Sequence, residues 1–375
     1  MKQIMWNQNW TVAAGVTDPF AVIFGGGAEG KPVTLPQDAM ILEKRSADCG
    51  SGTQSGFYPA KSYTYQKEFF TVRIPVPFFL FEDVGPYIHC HEYLDKAFIW
   101  ARKYGLKVLV DLHTAPGGHN GTDNSGICGV CLWSTRSEYM EYTLSVLERI
   151  AQRYGKEEAM WGISVLNEPM CSDTEAAQAL NIHNLTQVYP PADQALAAEN
   201  TNCSLDYLRQ FYRDAYRVIR KHMGSEKYVV FSDAFELEIW DAFLNCGDFE
   251  GVVLDTHNYL MTPDQMLFTE RNLQVYVRYL RSLGEKVNAA AKRFPLIVGE
   301  WNIQNRADGL EQMGKEEKDR LYTAIADEFL EGMKDTLGWF YWSYKIYLEG
   351  IDAECDDAGR CVNHGWLRPG ERRVP

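Results

Sequence analysis

From Thr71 onward, short apolar runs alternate along the chain with longer stretches whose apolar residues recur every three or four positions. The runs are TVRIPV (71–76), LKVLVDLH (106–113), WGISVLNEP (161–169), KYVVFSDA (227–234), GVVLDTHNY (251–259), PLIVGEWN (295–302) and LGWFYWSYK (337–345). They read as buried strands. Helical patterns fall between most of them, among them HEYLDKAFIWARKYG, ending at Gly105, and RSEYMEYTLSVLERIAQRYG, ending at Gly155. Each of these two is closed by the glycine favoured just past a helix. The order predicts βα units around a parallel sheet. Seven such strands in 375 residues predict an α/β fold, a (β/α)8 TIM barrel with one member unaccounted for.

Residues 1–70 break the theme. They are rich in Gly, Thr and Tyr, alternate in SYTYQKEFF, and carry turn chemistry in FGGGAEGKP and CGSGTQSG. The pattern predicts a β-type segment over 1–70, foreign to the barrel, and a barrel domain over 71–375 whose first βα unit is atypical. A parallel barrel short of one strand exposes two edges, and native proteins cover or pair such edges. Either the first segment fills the gap or a second copy does, so a homodimer formed by exchange across the open edge is expected. A monodisperse monomer in light scattering would count against that exchange.

Hydrophobic residues make up 46% of the chain, ample for a large core. The formal charge of −14 argues against nucleic acid and acidic membrane surfaces as partners, since both select basic patches. A neutral substrate fits better. Ten Trp and 21 Tyr suit flat apolar faces such as those of sugar rings, although most aromatic side chains serve the core. The start, MKQIMWNQNW, lacks a basic region followed by a long apolar run, and no stretch reaches the roughly 18 apolar residues of a membrane span. A soluble chain, cytoplasmic where expressed as it stands, is expected. Nine Cys leave at least one unpaired unless chains are bridged. Cys128 and Cys131 form a C-x2-C that no second pair completes into a zinc site, so they read as structural thiols. Cys355 and Cys361 could close a small loop in an oxidising compartment.

Polar residues of catalytic type gather where the strands end: Arg73, His113, Asn167 with Glu168, Asp233, His257 with Tyr259, Glu300 and Trp342. Barrel enzymes place their chemistry at that rim, where loops vary over a fixed interior. Glu168 and Glu300 each close an apolar run and lie 132 positions apart. Glycoside hydrolysis needs such a pair, one carboxyl to protonate the leaving oxygen and another to attack or to activate water. A single strand-end Glu is more often a structural ion pair, and it is the pair with its neighbours that reverses this reading. Arg73 could hold Glu300 ionised by charge and bidentate bonding, or serve as a buried salt bridge. Asn120, Asp123 and Asn124 lie in a Gly-rich loop too polar for the core. Glu236 and Glu238 read as a solvated pair, and His89, His91 and Asp111 as residues without a functional part.

Six ordered motifs, RIPVP, DLHTAPGGHNGTDNSG, LNEP, THNY, VGEWN and WFYWSYK, make residues 71–375 resemble glycoside hydrolase family 5, a family of retaining (β/α)8 hydrolases. The second motif is similar to the loop of the exo-acting β-1,3-glucanases, with His119 and Thr122 where those carry Gln and Phe. The resemblance implies Glu168 as acid/base and Glu300 as nucleophile, without metal or organic cofactor. It further implies that Asn167 grips the sugar 2-hydroxyl, that His113 and His257 bind hydroxyls or orient carboxylates, and that Tyr259 hydrogen-bonds Glu300. Trp342 becomes the platform under the non-reducing-side sugar, unless it is simply a core Trp, and Asn120, Asp123 and Asn124 become ligands of sugar hydroxyls. The substrate implied is a β-glucan, cleaved by exo-β-1,3-glucanase or β-glucosidase action that releases glucose. An endo-acting cellulase or mannanase, a transglycosylase and an inert carbohydrate-binding protein are the alternatives. Residues 33–69 resemble the start of the amino-terminal β-sandwich of family 2 glycoside hydrolases, as though fragments of two hydrolases had been joined.

Overall fold

The computed structural model describes residues 70–342 except 86, 176–188, 192, 261–262 and 265–266. The β-type segment, the stretch similar to family 2 and the Cys355–Cys361 pair lie outside the described residues. Seven strands form one parallel sheet in chain order: β1 (Phe70–Val76), β2 (Leu106–Leu112), β3 (Met160–Ser164), β4 (Tyr228–Ser232), β5 (Val252–Asn258), β6 (Leu296–Trp301) and β7 (Gly338–Tyr341). The long helices are α1 (His91–Tyr104), α2 (Ser137–Tyr154), α3 (Leu205–Arg220), α4 (Leu273–Ala291) and α5 (Lys315–Gly332). This is the (β/α)8 barrel architecture predicted from the apolar runs. Among the described residues β1 pairs only with β2, and β7 only with β6.

The two helix ends anticipated from glycine differ in cause. Gly105 closes α1 in the left-handed region at φ 68°, where glycine has no Cβ to clash. Gly155 keeps a right-handed backbone, and its value is space: a Cβ there would stand 2.3 Å from the Ala151 carbonyl oxygen. The strand runs were also too generous. β3 stops at Ser164, so Leu166, Asn167 and Glu168 lie beyond it.

Strand side chains alternate between two cores. Val108, Val110 and Leu112 of β2 and Leu254 of β5 pack outward under the helices. Leu109, Val230, Val253, Ile297 and Phe340 meet inside the barrel. That inner parity continues from Leu109 to Asp111 and His113, and from Val253 to Asp255 and His257. In β6 the parity is broken. Thr256 of β5 pairs with Val298, but His257 pairs with Glu300, so Gly299 is the extra residue of a bulge. Ile297 faces the interior and Trp301 packs outward, and the inserted residue is what turns Glu300 inward. Only glycine fits there, because a Cβ at Gly299 would lie 2.2 Å from a carboxylate oxygen of Asp255, and the Gly299 N–H donates to the other Asp255 oxygen at 2.6 Å.

Candidate active site

The carboxyl ends of the strands open on a mouth crowded with charge. Arg73 comes from the middle of β1 rather than from its end, and its long side chain reaches up the inner wall. Its Nη1 donates to Glu300 Oε1 at 2.7 Å, and its Nη2 donates to Asn167 Oδ1 at 2.7 Å and lies 3.1 Å from Asp111 Oδ1. Burial alone would favour a neutral guanidine, but Asp111, Glu300 and Asp255 overcome that and raise the pKa of Arg73 above its already high value. Glu300 is completed by the Tyr259 hydroxyl, which donates to Oε2 at 2.7 Å. Burial and the negative charge of Glu300 in turn hold Tyr259 protonated.

Glu168 is placed differently. Its backbone sits in the left-handed region at φ 47°, ahead of Pro169, at a cost of about 1–3 kcal/mol for a side-chain-bearing residue. That twist carries the carboxylate from the end of β3 into the mouth. His257 Nδ1 is 2.7 Å from its Oε1, and Asn124 Nδ2 donates to its Oε2 at 2.8 Å. Burial pushes the Glu168 carboxyl up, yet the His257 hydrogen bond and charge, helped by Asn124, outweigh it and bring the group down to about 2. Burial likewise favours neutral His257, but Glu300, Asp255 and Glu168 raise its pKa well above the ordinary histidine value. The two shifts point the same way and favour the proton of the pair on the imidazole over the carboxylate. His257 is held from behind by Asp255, 3.5 Å from its Nε2.

The remaining residues form the walls. His113 Nδ1 bonds Asp111 Oδ2 at 2.7 Å, and its other nitrogen lies 3.4 Å from Asn167 Nδ2. Trp342 stacks on His113 with ring centres 5.6 Å apart and planes 8° from parallel. Asn120 donates to the Glu168 carbonyl at 3.0 Å and to Asn124 Oδ1 at 3.1 Å. The departures from the exo-glucanase loop have definite places. Thr122 bonds both Asn120 and Asn124 and so ties the loop together, while buried His119 bonds the Asn167 carbonyl through Nε2, where a Gln amide could donate as well. Burial drives His119 down to about 4, so it acts as a neutral donor. Asp123 makes no recorded bond to Glu168. Burial, with a smaller push from the Glu168 charge, brings its carboxyl up to about 6. Asp233 folds the next rim turn instead, accepting from the Phe235 N–H at 2.9 Å, and Glu236 caps Glu175 N–H at 3.0 Å.

The structure thus brings Arg73, Asn167, Tyr259 and Glu300 into one hydrogen-bonded group and Asn124, Glu168 and His257 into a second, the two meeting where His257 Nδ1 lies 3.6 Å from Glu300 Oε2, with Asn120, His113 and Trp342 bordering this cluster. Asp111 and Asp255 belong to it too, although sequence reasoning passed over both. The signal was strand parity: each stands two residues before a rim histidine and so faces the same way. Donor atoms of Glu168, His257 and Glu300 all lie within 4.8 Å of one another. Such a cluster has the spacing of a metal site, but here Arg73 and the His257 imidazolium already supply the positive charge.

A parallel (β/α)8 barrel that gathers two facing glutamates at its carboxyl rim has the architecture of the barrel glycoside hydrolases. The sequence profile described as Cellulase (glycosyl hydrolase family 5) matches residues 59–347, and the chain belongs to that family. Its curated relatives include a glucan 1,3-beta-glucosidase of Schwanniomyces occidentalis, 29% identical over 318 residues that cover 73% of this chain and 65% of the relative. A second, from Candida oleophila, is 35% identical over 242 residues, covering 62% and 49%. The chain spans less than two thirds of the length of either relative. Among solved structures, a rutinosidase from Aspergillus niger shares the fold at a TM-score of 0.54, with 21% identity over 74% of this chain and 71% of that one. No helix among the described residues is long and apolar enough to cross a membrane.

Proposed function

We propose that the chain is a retaining β-glucan hydrolase that works from chain ends on β-1,3-linked glucans and releases glucose. The observation that carries this reading is the approach of the two acids: oxygens of Glu168 and Glu300 lie within 4.8 Å. Retaining enzymes hold their carboxyl groups about 5–5.5 Å apart, whereas inverting enzymes need about 6.5–9.5 Å to admit a water. The linkage and the exo action rest on the family membership and on the names of the relatives.

The two acids divide the chemistry. Glu300, held by Arg73 and aimed by Tyr259, attacks the anomeric carbon as the glycosidic C–O bond breaks. The departing oxygen takes a proton from Glu168, which draws it from His257 across the 2.7 Å contact. Covalent bonding then consumes the Glu300 charge, and Glu168 with His257 removes a proton from the water that frees the sugar. Asn167, with its Oδ1 fixed by Arg73, keeps Nδ2 for the sugar 2-hydroxyl, a bond that strengthens as the oxocarbenium ion forms. Trp342 on His113 offers a flat apolar face, and Asn120, Asp123 and Asn124 offer polar groups to the hydroxyls. No step calls on a metal or an organic cofactor.

Early products on laminarin, cellulose and mannan test the proposal. Glucose as the sole early product from laminarin, seen first as the β-anomer by NMR, is expected. Initial release of the α-anomer would overturn the two-step scheme, and mixed oligosaccharides from cellulose or mannan would replace exo-β-1,3 action by endo action on another chain.

A further inference from the structure

A second group of ligand-type side chains lies apart from the mouth, where the loop after β1 runs into α1. Asp83 precedes an antiparallel bridge between Val84 and Tyr87, made by two backbone hydrogen bonds, Val84 N–H to Tyr87 carbonyl at 3.1 Å and the reverse at 3.0 Å. His89, His91 and Glu92 follow, and their donor atoms all lie within 4.8 Å of one another. His89 Nε2 is 3.3 Å from Glu92 Oε1, and His91 Nδ1 is 3.8 Å from Glu92 Oε2. A tetrahedral zinc site with bonds of about 2.0–2.1 Å separates its N and O donors by about 3.3 Å. The cluster is therefore near that size already.

Two details set it apart from an ordinary surface ion pair. The far nitrogen of His89, Nδ1, is bonded to Asp83 Oδ1 at 2.8 Å, and Asp83 also accepts the His89 backbone N–H at 3.0 Å. That is the carboxylate–histidine arrangement that fixes the ring and raises the basicity of a metal-binding imidazole. His91 Nδ1 is buried and has no hydrogen-bond partner, although an unsatisfied buried ring nitrogen costs free energy. A cation would satisfy it. The start of α1 disfavours positive charge nearby, but Glu92 and Asp83 together supply the opposite charge at closer range. Cys90, between the histidines in sequence, turns away from them into the apolar core, where it is fully buried.

We propose that His89, His91 and Glu92 form a binding site for one divalent transition-metal ion of the zinc class, with Asp83 orienting His89. Two imidazoles favour such an ion over magnesium or calcium, which take oxygen ligands. The ion would tie Asp83, beside the Val84–Tyr87 bridge, to α1. Tyr87 in that bridge donates to the Gly126 carbonyl at 3.0 Å and so supports the loop that carries Asn120 and Asn124.

The test uses the intact protein after dialysis against EDTA. Calorimetric titration with Zn2+ is expected to show one site, with affinity reduced at least about 10-fold by His89→Gln and about 10–100-fold by Asp83→Asn. Co2+ in place of Zn2+ is expected to give the visible bands of a tetrahedral ion in wild type and not in His89→Gln. His89 is half-exposed, so its variant should fold even where a His91 variant does not. Absence of heat above the blank, titration unchanged by His89→Gln, or binding abolished by Glu300→Gln instead would each overturn the proposal.

Discussion

The two glutamates of the mouth face each other from surroundings that differ in one decisive respect. Glu300 ends a strand, is turned inward by a bulge, and is held by an arginine and a tyrosine, neither of which exchanges a proton near neutral pH. Glu168 lies past its strand on a left-handed backbone and is held by a histidine and an amide. A permanent cation keeps a carboxylate ionised, whereas a titratable partner lets it gain and lose a proton. Under the proposed mechanism, the difference between nucleophile and acid/base therefore lies less in the glutamates than in their nearest nitrogen.

Substitutions can break this asymmetry. The largest effect is expected from Glu300→Ala, which removes the attacking atom: turnover should fall by roughly 10⁴-fold or more, with sugar binding retained in calorimetry. Next comes Glu168→Ala. Hydrolysis of glucan should drop about 10²–10⁴-fold, while aryl glucosides with good leaving groups keep more of their rate and azide restores turnover as a β-glycosyl azide. Undiminished hydrolysis in either variant would defeat the division of roles. The smallest and most diagnostic change is His257→Gln. In wild type the essential proton is held by an imidazole facing Glu300, Asp255 and Glu168, so activity should fail only as pH rises well past the ordinary histidine range. Without that cation Glu168 rises from about 2, because burial is then less opposed, and must hold the proton alone. The alkaline limb of kcat/KM is expected to move to lower pH by roughly one unit or more. An alkaline limb that stays in place would take His257 out of the proton path.

The inner and outer faces of the sheet show why some of the site was legible and some was not. Leu109, Asp111 and His113 share one face of β2 and its extension, as Val253, Asp255 and His257 do for β5, so period-two reading could have included both aspartates. They were passed over because an aspartate following an apolar residue looks like any buried polar residue until its distant partner is seen, Arg73 for Asp111 and Gly299 for Asp255. Glu300 is the opposite case. Its motif pointed to it, yet strict alternation from Ile297 would have turned it away from the mouth, and only the bulge at Gly299, with the Asp255 carboxylate occupying the space of a missing Cβ, reverses that. His89 and His91 read as residues without a functional part because the proposed metal site depends on Asp83 and Glu92 closing around them.

The sequence by itself determined the strands, the helices between them and the residue types gathered at the rim, since hydrophobic period and helix-ending signals are local properties of the chain. What tertiary structure decided was direction and charge: which way a bulge or a left-handed residue aims a carboxylate, and which cation it meets. Those depend on groups brought together from distant strands, and the opposite pKa shifts of Glu168 and His257 are a property of their 2.7 Å contact, not of either residue alone.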